Sequence, residues 1–227
     1  FVCLVASEVS QKIVGGSNAY AGQFPWQASL QRSSGSSWSH ICGGSLISSN
    51  RVLTAAHCVS PNRLILMMCN ALNIWDFFIF KHPNYNGNAN GYPNDISVMR
   101  LASNANTGSS AVSTVTLAPY GSSFTGQKCT ISGWGRTVGD LPNTLQYVSM
   151  NKISNSECTS RWGSSINSGH ICVHETGKSA CNGDSGGPMI CNGYLAGVTS
   201  WGASGCPGTY PSVYTRVSQY LSWIASI

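Results

Sequence analysis

With 227 residues the chain can bury a sizeable core, as one large β domain or two small ones. Charged residues make up 8% of it, against about 25% in ordinary soluble domains, and the net charge of +5 reflects scarce acids rather than a basic run, which argues against a nucleic-acid partner. Ten cysteines without a C-x-x-C pair exclude the usual zinc spacings and read as a disulfide framework made in an oxidising compartment, so secretion is expected.

Residues 1–6, FVCLVA, read as the end of an apolar signal-peptide core, and the polar residues 7–12 as a removable propeptide. No other stretch approaches the roughly 18 apolar residues of a membrane span, so no membrane partner is expected. Short apolar or alternating runs then follow at 27–31, 51–55, 129–134 and 194–201, each bounded by Gly, Asn, Ser or Pro, which is an all-β pattern. Gly-, Ser- and Asn-rich stretches at 33–37, 84–94 and 103–113 are expected surface loops, the last of them near the middle, where two halves join. Only 217–227 spaces its apolar residues (Val217, Leu221, Ile224) as a helix does, and an amphipathic helix is placed there.

The sharpest local signal is Gly183-Asp184-Ser185-Gly186-Gly187-Pro188, a serine among glycines whose missing side chains allow a substrate carbonyl to approach the backbone. A serine hydroxyl is inert near neutral pH unless a base takes its proton. All five histidines (His40, His57, His82, His170, His174) precede Ser185 and no acid follows it, which excludes the Ser–acid–His order of the α/β-hydrolases. An acid–His–Ser order would need a histidine later than His57, because only Glu8 precedes His40 and His57. The remaining order, His–acid–Ser, is met by His57 in TAAHC, Asp95 in NDI and Ser185.

TAAHC, NDISVMRL, the GWG at 133–135, GDSGGP and Ser200-Trp201-Gly202 together resemble the chymotrypsin-like (trypsin-fold) serine peptidases, over nearly all of 13–227. The resemblance implies two six-stranded antiparallel Greek-key β-barrels with a C-terminal α-helix, meeting near 103–125. It implies that His57 accepts the Ser185 proton, that Asp95 fixes the histidine tautomer, and that the N–H groups of Gly183 and Ser185 form the oxyanion hole. Lys12-Ile13-Val14-Gly15-Gly16 resembles the activation site, where cleavage after Lys12 frees the Ile13 amine to pair with Asp184. His40 and Ser29 stand where relatives sometimes hold that acid beforehand. The implied disulfides are Cys42–Cys58, Cys129–Cys191, Cys158–Cys172 and Cys181–Cys206, leaving Cys3 and Cys69 without partners. Between His57 and Asp95 the chain departs from the family: it is shorter and more apolar over 64–80, its strands are hard to see, and Asp76 is its only carboxylate, so neither calcium nor any other metal or cofactor is expected.

By the same resemblance Ser179 is the floor of the primary specificity pocket, where trypsin-type members carry an aspartate. A neutral floor, an open wall at Gly202 and a base narrowed by Ser212 imply cleavage after Phe, Tyr, Leu or Met, with Trp162, Ser200 and Trp201 along the extended substrate. The expected protein is a monomeric, secreted digestive enzyme of an invertebrate, of chymotrypsin type, working in the gut lumen. It would act on proteins and peptides, be activated by a trypsin-like protease and be blocked by protein inhibitors. Elastase-like specificity, or a catalytically silent homologue acting as a binding module, are the alternatives.

Overall fold

A computed structural model of the chain describes residues 13–34, 37–59, 65–69, 72–74, 77–136 and 142–227. The leader with Cys3 and Lys12 lies outside the described residues, as does the side chain of Cys69. The strands are β1 (Ser17–Asn18), β2 (Gln27–Ser34), β3 (Ser37–Ser48), β4 (Arg51–Thr54), β5 (Ile65–Cys69), β6 (Leu72–Ile74), β7 (Phe77–Lys81), β8 (Ser97–Leu101), β9 (Lys128–Gly133), β10 (Gln146–Ile153), β11 (His170–His174), β12 (Pro188–Cys191), β13 (Tyr194–Trp201) and β14 (Ser212–Arg216). They form two antiparallel sheets. The second runs β10-β11-β14-β13-β12-β9 and closes through a β9–β10 ladder into a six-stranded barrel, with β1 added along β10.

The first sheet has seven strands in the order β6-β5-β2-β3-β4-β8-β7, and among the described residues no ladder joins β6 to β7. The 64–80 segment, unpromising in sequence, does supply strands: β5 pairs with β2, β6 with β5 and β7 with β8. Among the described residues β7 pairs only with β8, and its Phe78 is 61% exposed with the Arg100 guanidinium 5.7 Å from its ring. Residues 102–127 carry the chain from the first sheet to the second, bonding to both: the Val115 N–H donates to the Leu46 carbonyl (2.9 Å) and the Ala118 N–H to the Leu195 carbonyl (3.1 Å).

Each sheet encloses its own apolar cluster. Ala28, Leu30, Leu46, Leu53, Val98 and Met99 fill the first, and Ile131, Met150, Ile171, Met189 and Tyr214 the second. The C-terminal helix α2 (Leu221–Ala225) follows a tight turn at Val217–Gln219 and buries Ile224 in the first cluster. An eight-residue helix α1 (Asn155–Trp162) is not among the expected elements, although its signal is in the sequence. Ser154-Asn155-Ser156-Glu157 is a capping-box pattern, and the Ser154 hydroxyl accepts from the Glu157 N–H at 3.0 Å. All four implied disulfides form: Cys42–Cys58, Cys129–Cys191, Cys158–Cys172 and Cys181–Cys206.

Strand periodicity also places one misfit. Val148 and Met150 of β10 face inward, and the two-residue period puts Lys152 on the same side, 3% exposed. Its ammonium donates to Thr125 Oγ1 at 2.9 Å and meets no carboxylate among the described residues. Burial, with the nearby Arg216 cation, pushes its pKa down to about 8. A lysine whose folded pKa lies below its unfolded value of about 10.4 favours folding only once both states are neutral, and that support is lost as pH falls through 8. Lys152→Met is therefore expected to stabilise the protein at pH 7 by about 1–2 kcal/mol, allowing for partial solvent screening. Thermal unfolding at pH 7 and pH 10 checks it: the gain should shrink at the higher pH, and an equal or negative effect at both would contradict it.

Candidate active site

The site lies in a cavity of about 340 Å³ lined by His57, Tyr92, Ala180, Cys181, Asn182, Ser185, Thr199, Ser200, Trp201, Gly202, Ala203, Ser204 and Cys206. His57 sits on a single 3-10 turn after β4, fixed by the neighbouring Cys42–Cys58 bridge. Its Nδ1 is 2.7 Å from Asp95 Oδ2, and its backbone N–H donates to Asp95 Oδ1 at 2.9 Å. Asp95 is 1% exposed, and Ser200 in the other sheet donates its hydroxyl to the same Oδ2 at 2.6 Å. Three such bonds hold the carboxyl and fix the ring, and an Nδ1 that donates to Oδ2 leaves Nε2 free to accept.

Ser185 shares the cavity with His57, with no hydrogen bond between them, a common state for a resting site. Its carbonyl accepts from the Gly43 N–H at 2.7 Å, which anchors the loop to β3. Gly183 takes φ = 101°, a conformation open to glycine and strained for other residues. The N–H groups of both Gly183 and Ser185 donate to nothing among the described residues. Two unpaired donors beside a serine and an oriented imidazole can stabilise an oxyanion formed by attack of that serine on a carbonyl.

Asp184, between them, points the other way. It is 2% exposed and accepts from the Gly135 and Cys181 N–H groups, each at 2.8 Å. Burial pushes its pKa up to about 6, and these two bonds only partly offset that. Ile13 is fully buried in the second core cluster and Val14 bridges to Ser179, so the segment after Lys12 is inserted beside the pocket. His40 and Ser29 do not hold Asp184 here. His40 Nε2 bonds the Gly183 carbonyl and its Nδ1 the Ser29 hydroxyl, both at 2.8 Å; burial lowers its pKa, and the Gly183 bond offsets part of that.

The floor residues lie deeper than expected. Ser179 and Ser212 are 5% and 3% exposed, with their hydroxyls 3.3 Å apart. Ser179 donates to the Ala180 carbonyl, and the Ala180 N–H donates to Ser212. Neither serine lines the cavity, whose lining includes Ala180, Thr199 and both cysteines of the Cys181–Cys206 bridge. Gly202 does line it, and a Cβ there would come no closer than 4.0 Å to the Ser212 backbone, so that wall is open. Trp201 lines the cleft, whereas Trp162 backs it, edge-on at 5.0 Å.

Sequence reasoning missed Tyr92, Asn182 and Thr199. Tyr92 belongs to the loop at 84–94, which docks across the cleft: Trp201 Nε1 donates to the Gly91 carbonyl at 3.0 Å and Ser165 to Asn90 Oδ1 at 2.8 Å. Nothing in a Gly- and Asn-rich stretch marks that docking. Cys42, His57 and Cys58 come within metal-ligand reach of one another, but the sulfurs are bonded together and only the imidazole is left to ligate. Among the described residues no helix is long and apolar enough to cross a membrane.

The family description Trypsin matches residues 13–224. A chymotrypsin-like serine proteinase of Haliotis rufescens is 48% identical, with 96% of this chain and 92% of the relative covered. That match runs over 239 positions, more than this chain's 227 residues, so the relative carries residues absent here. Trypsin of Sus scrofa is 41% identical, with 94% of each chain covered. Among solved structures, neuropsin, a serine protease of mouse brain, superposes with a TM-score of 0.84 at 34% identity, covering 93% of this chain and 97% of its own. With a buried acid, an oriented histidine and a serine gathered in one cleft, and with these likenesses along nearly its whole length, the chain belongs to the trypsin family of chymotrypsin-like serine peptidases and is a serine endopeptidase.

Proposed function

We propose that Ser185 is the nucleophile, His57 the general base and Asp95 its positioning acid, and that the enzyme cleaves proteins after large apolar residues through an acyl-enzyme. The observation that carries this is the three-bond anchoring of Asp95, which leaves His57 Nε2 free in the cavity that also holds Ser185. His57 Nε2 takes the hydroxyl proton as Ser185 Oγ attacks the scissile carbonyl, and the N–H groups of Gly183 and Ser185 receive the oxyanion. The imidazolium passes that proton to the leaving amine. Water then enters, is deprotonated by the same ring and releases the acid product.

A pocket lining with no Asp, Glu, Lys or Arg and an open wall at Gly202 support the apolar preference. The same neutrality disfavours cleavage after Lys12, so activation is assigned to a separate trypsin-like enzyme. Four disulfides fit secretion, and protein inhibitors are the expected partners. The test uses precursor cut after Lys12 by immobilised trypsin, assayed on peptide esters ending in Phe, Ala or Arg, with Ser185→Ala as the blank. Rapid turnover of the Phe ester alone is expected. Preferred Ala or Arg turnover would refute the specificity, and inactivity of a correctly cut chain would refute the catalytic reading.

A further inference from the structure

Four Asn-Gly pairs occur in the chain, at Asn86, Asn90, Asn182 and Asn192. Asparagine before glycine is the chemically weakest link of this kind, because nothing on the glycine hinders its nitrogen from reaching the asparagine side chain, and asparagine is among the thermolabile residues. Two of the pairs are restrained. Asn86 Oδ1 accepts from the Asn88 N–H at 3.0 Å, and Asn90 Oδ1 from Ser165 at 2.8 Å. Asn192 lies in the β12–β13 hairpin turn, at the opposite end of β13 from the cleft residues Thr199, Ser200 and Trp201.

Asn182 differs from Asn86 and Asn90 in having no side-chain bond among the described residues, and from Asn192 in lining the cleft with Ser185. It is exposed, its side chain bonds nothing among the described residues, and only its backbone carbonyl is held, by the Arg136 N–H at 2.6 Å. The Gly183 nitrogen that would attack it is the unpaired donor described above. We infer that the Asn182–Gly183 link is a self-limiting modification site, at which cyclisation consumes the oxyanion-hole donor and retires the enzyme. This rests on the assignment of the Gly183 N–H to the oxyanion.

The step is balanced without a cofactor. The Gly183 nitrogen gives up its proton and bonds to Asn182 Cγ, and the Cγ–NH2 bond breaks as ammonia leaves with that proton. The five-membered imide that results has no N–H at Gly183. Water later opens the ring at either carbonyl. One opening leaves an ordinary aspartyl residue in place of Asn182, with a negative charge beside the oxyanion. The other yields an isoaspartyl link, which lengthens the backbone by one methylene and displaces the restored N–H. A bound substrate carbonyl occupies the same N–H, so working enzyme should age more slowly than idle enzyme.

Ser185→Ala protein, cut after Lys12 and unable to digest itself, is held warm at mildly alkaline pH in 18O-water, beside the same chain unfolded in urea as a reference. Mass spectrometry of the 182–183 peptide then reads ammonia loss and uptake of solvent oxygen. We expect conversion within a few-fold of the unfolded rate. In active enzyme, the lost fraction of turnover should equal the converted fraction, and Asn182→Gln should decay several-fold more slowly from its own starting activity. A link still intact when the unfolded reference has converted would overturn the chemical step. Equal decay of the two active enzymes would overturn its role in retirement. Conversion with turnover undiminished would overturn the assignment of the Gly183 N–H itself.

Discussion

Asp95→Asn is expected to lower kcat at neutral pH by about 10⁴, the size established for this exchange in a relative with the same triad, or about 5.5 kcal/mol of transition-state stabilisation. The geometry here accounts for the direction. Asp95 accepts at Oδ1 from the His57 backbone N–H, and at Oδ2 from both the His57 ring and the Ser200 hydroxyl. A carboxamide has one acceptor oxygen. If that oxygen keeps the backbone N–H, its NH2 faces the ring, and His57 must present a bare Nδ1 and carry its proton on Nε2, where it cannot take another from Ser185. The opposite flip sets an amide donor against the His57 backbone N–H. Steady-state kcat on a Phe ester, with active sites counted by a serine-directed acylating reagent, checks this. A fall of less than about tenfold would mean that tautomer control is not what Asp95 supplies.

The second large effect concerns Asp184, and its sign depends on whether the chain is cut. In the unbroken chain Ile13 has a peptide nitrogen, and the Asp184 carboxyl has two backbone N–H partners and no cation among the described residues. Its folded pKa of about 6 lies above the ordinary value. A raised acid supports folding fully below its unfolded pKa of about 3.9, and that support is lost as pH rises through 6. The uncut chain should therefore gain up to about 3 kcal/mol from this group between pH 7 and pH 4. Cutting after Lys12 supplies an ammonium at Ile13; paired with it, the carboxylate is held ionised and the dependence reverses, stability now falling on acidification. Unfolding in urea across that range, on the Ser185→Ala chain cut and uncut, measures both slopes against an Asp184→Asn background that cancels the other titrating groups. Slopes of one sign in both forms would rule out the Ile13–Asp184 pair.

Much of the site is legible in the sequence because its chemistry is order-dependent. The absence of any acid after Ser185 removes one triad arrangement, and TAAHC, NDI and GDSGGP fit another; in the structure His57 bonds Asp95 and shares a cavity with Ser185. What stays hidden is set by contacts between segments distant in the chain. Tyr92 reaches the cleft because Trp201 and Ser165 hold its loop, and no local pattern records that. Ser179 and Ser212 turn out to be occupied with each other and with Ala180, which a sequence cannot show. Helix α1 escapes a periodicity reading for a different reason: its mostly polar residues offer no apolar stripe, and its signal lies in the Ser154 cap alone. The first sheet shows no closing ladder among the described residues, and in the sequence the apolar residues of 64–80 have no clean two-residue alternation.

The chain ends cross over. β1, near the start, lies against β10 of the second sheet, while Ile224 near the end is buried in the core of the first. Leu195 and Val198 of β13 also reach that first core. Neither half is thus a detachable module. A fragment ending near residue 120 would keep its own strands but lose the plug of α2 and β13 from its core, and its complement would expose the β10 edge that β1 covers. Co-expressed halves could restore activity only by lending each other these pieces, so the cleft between them is laced at both ends, and His57 and Ser185 are kept in register by the path of the chain as well as by contact across the gap.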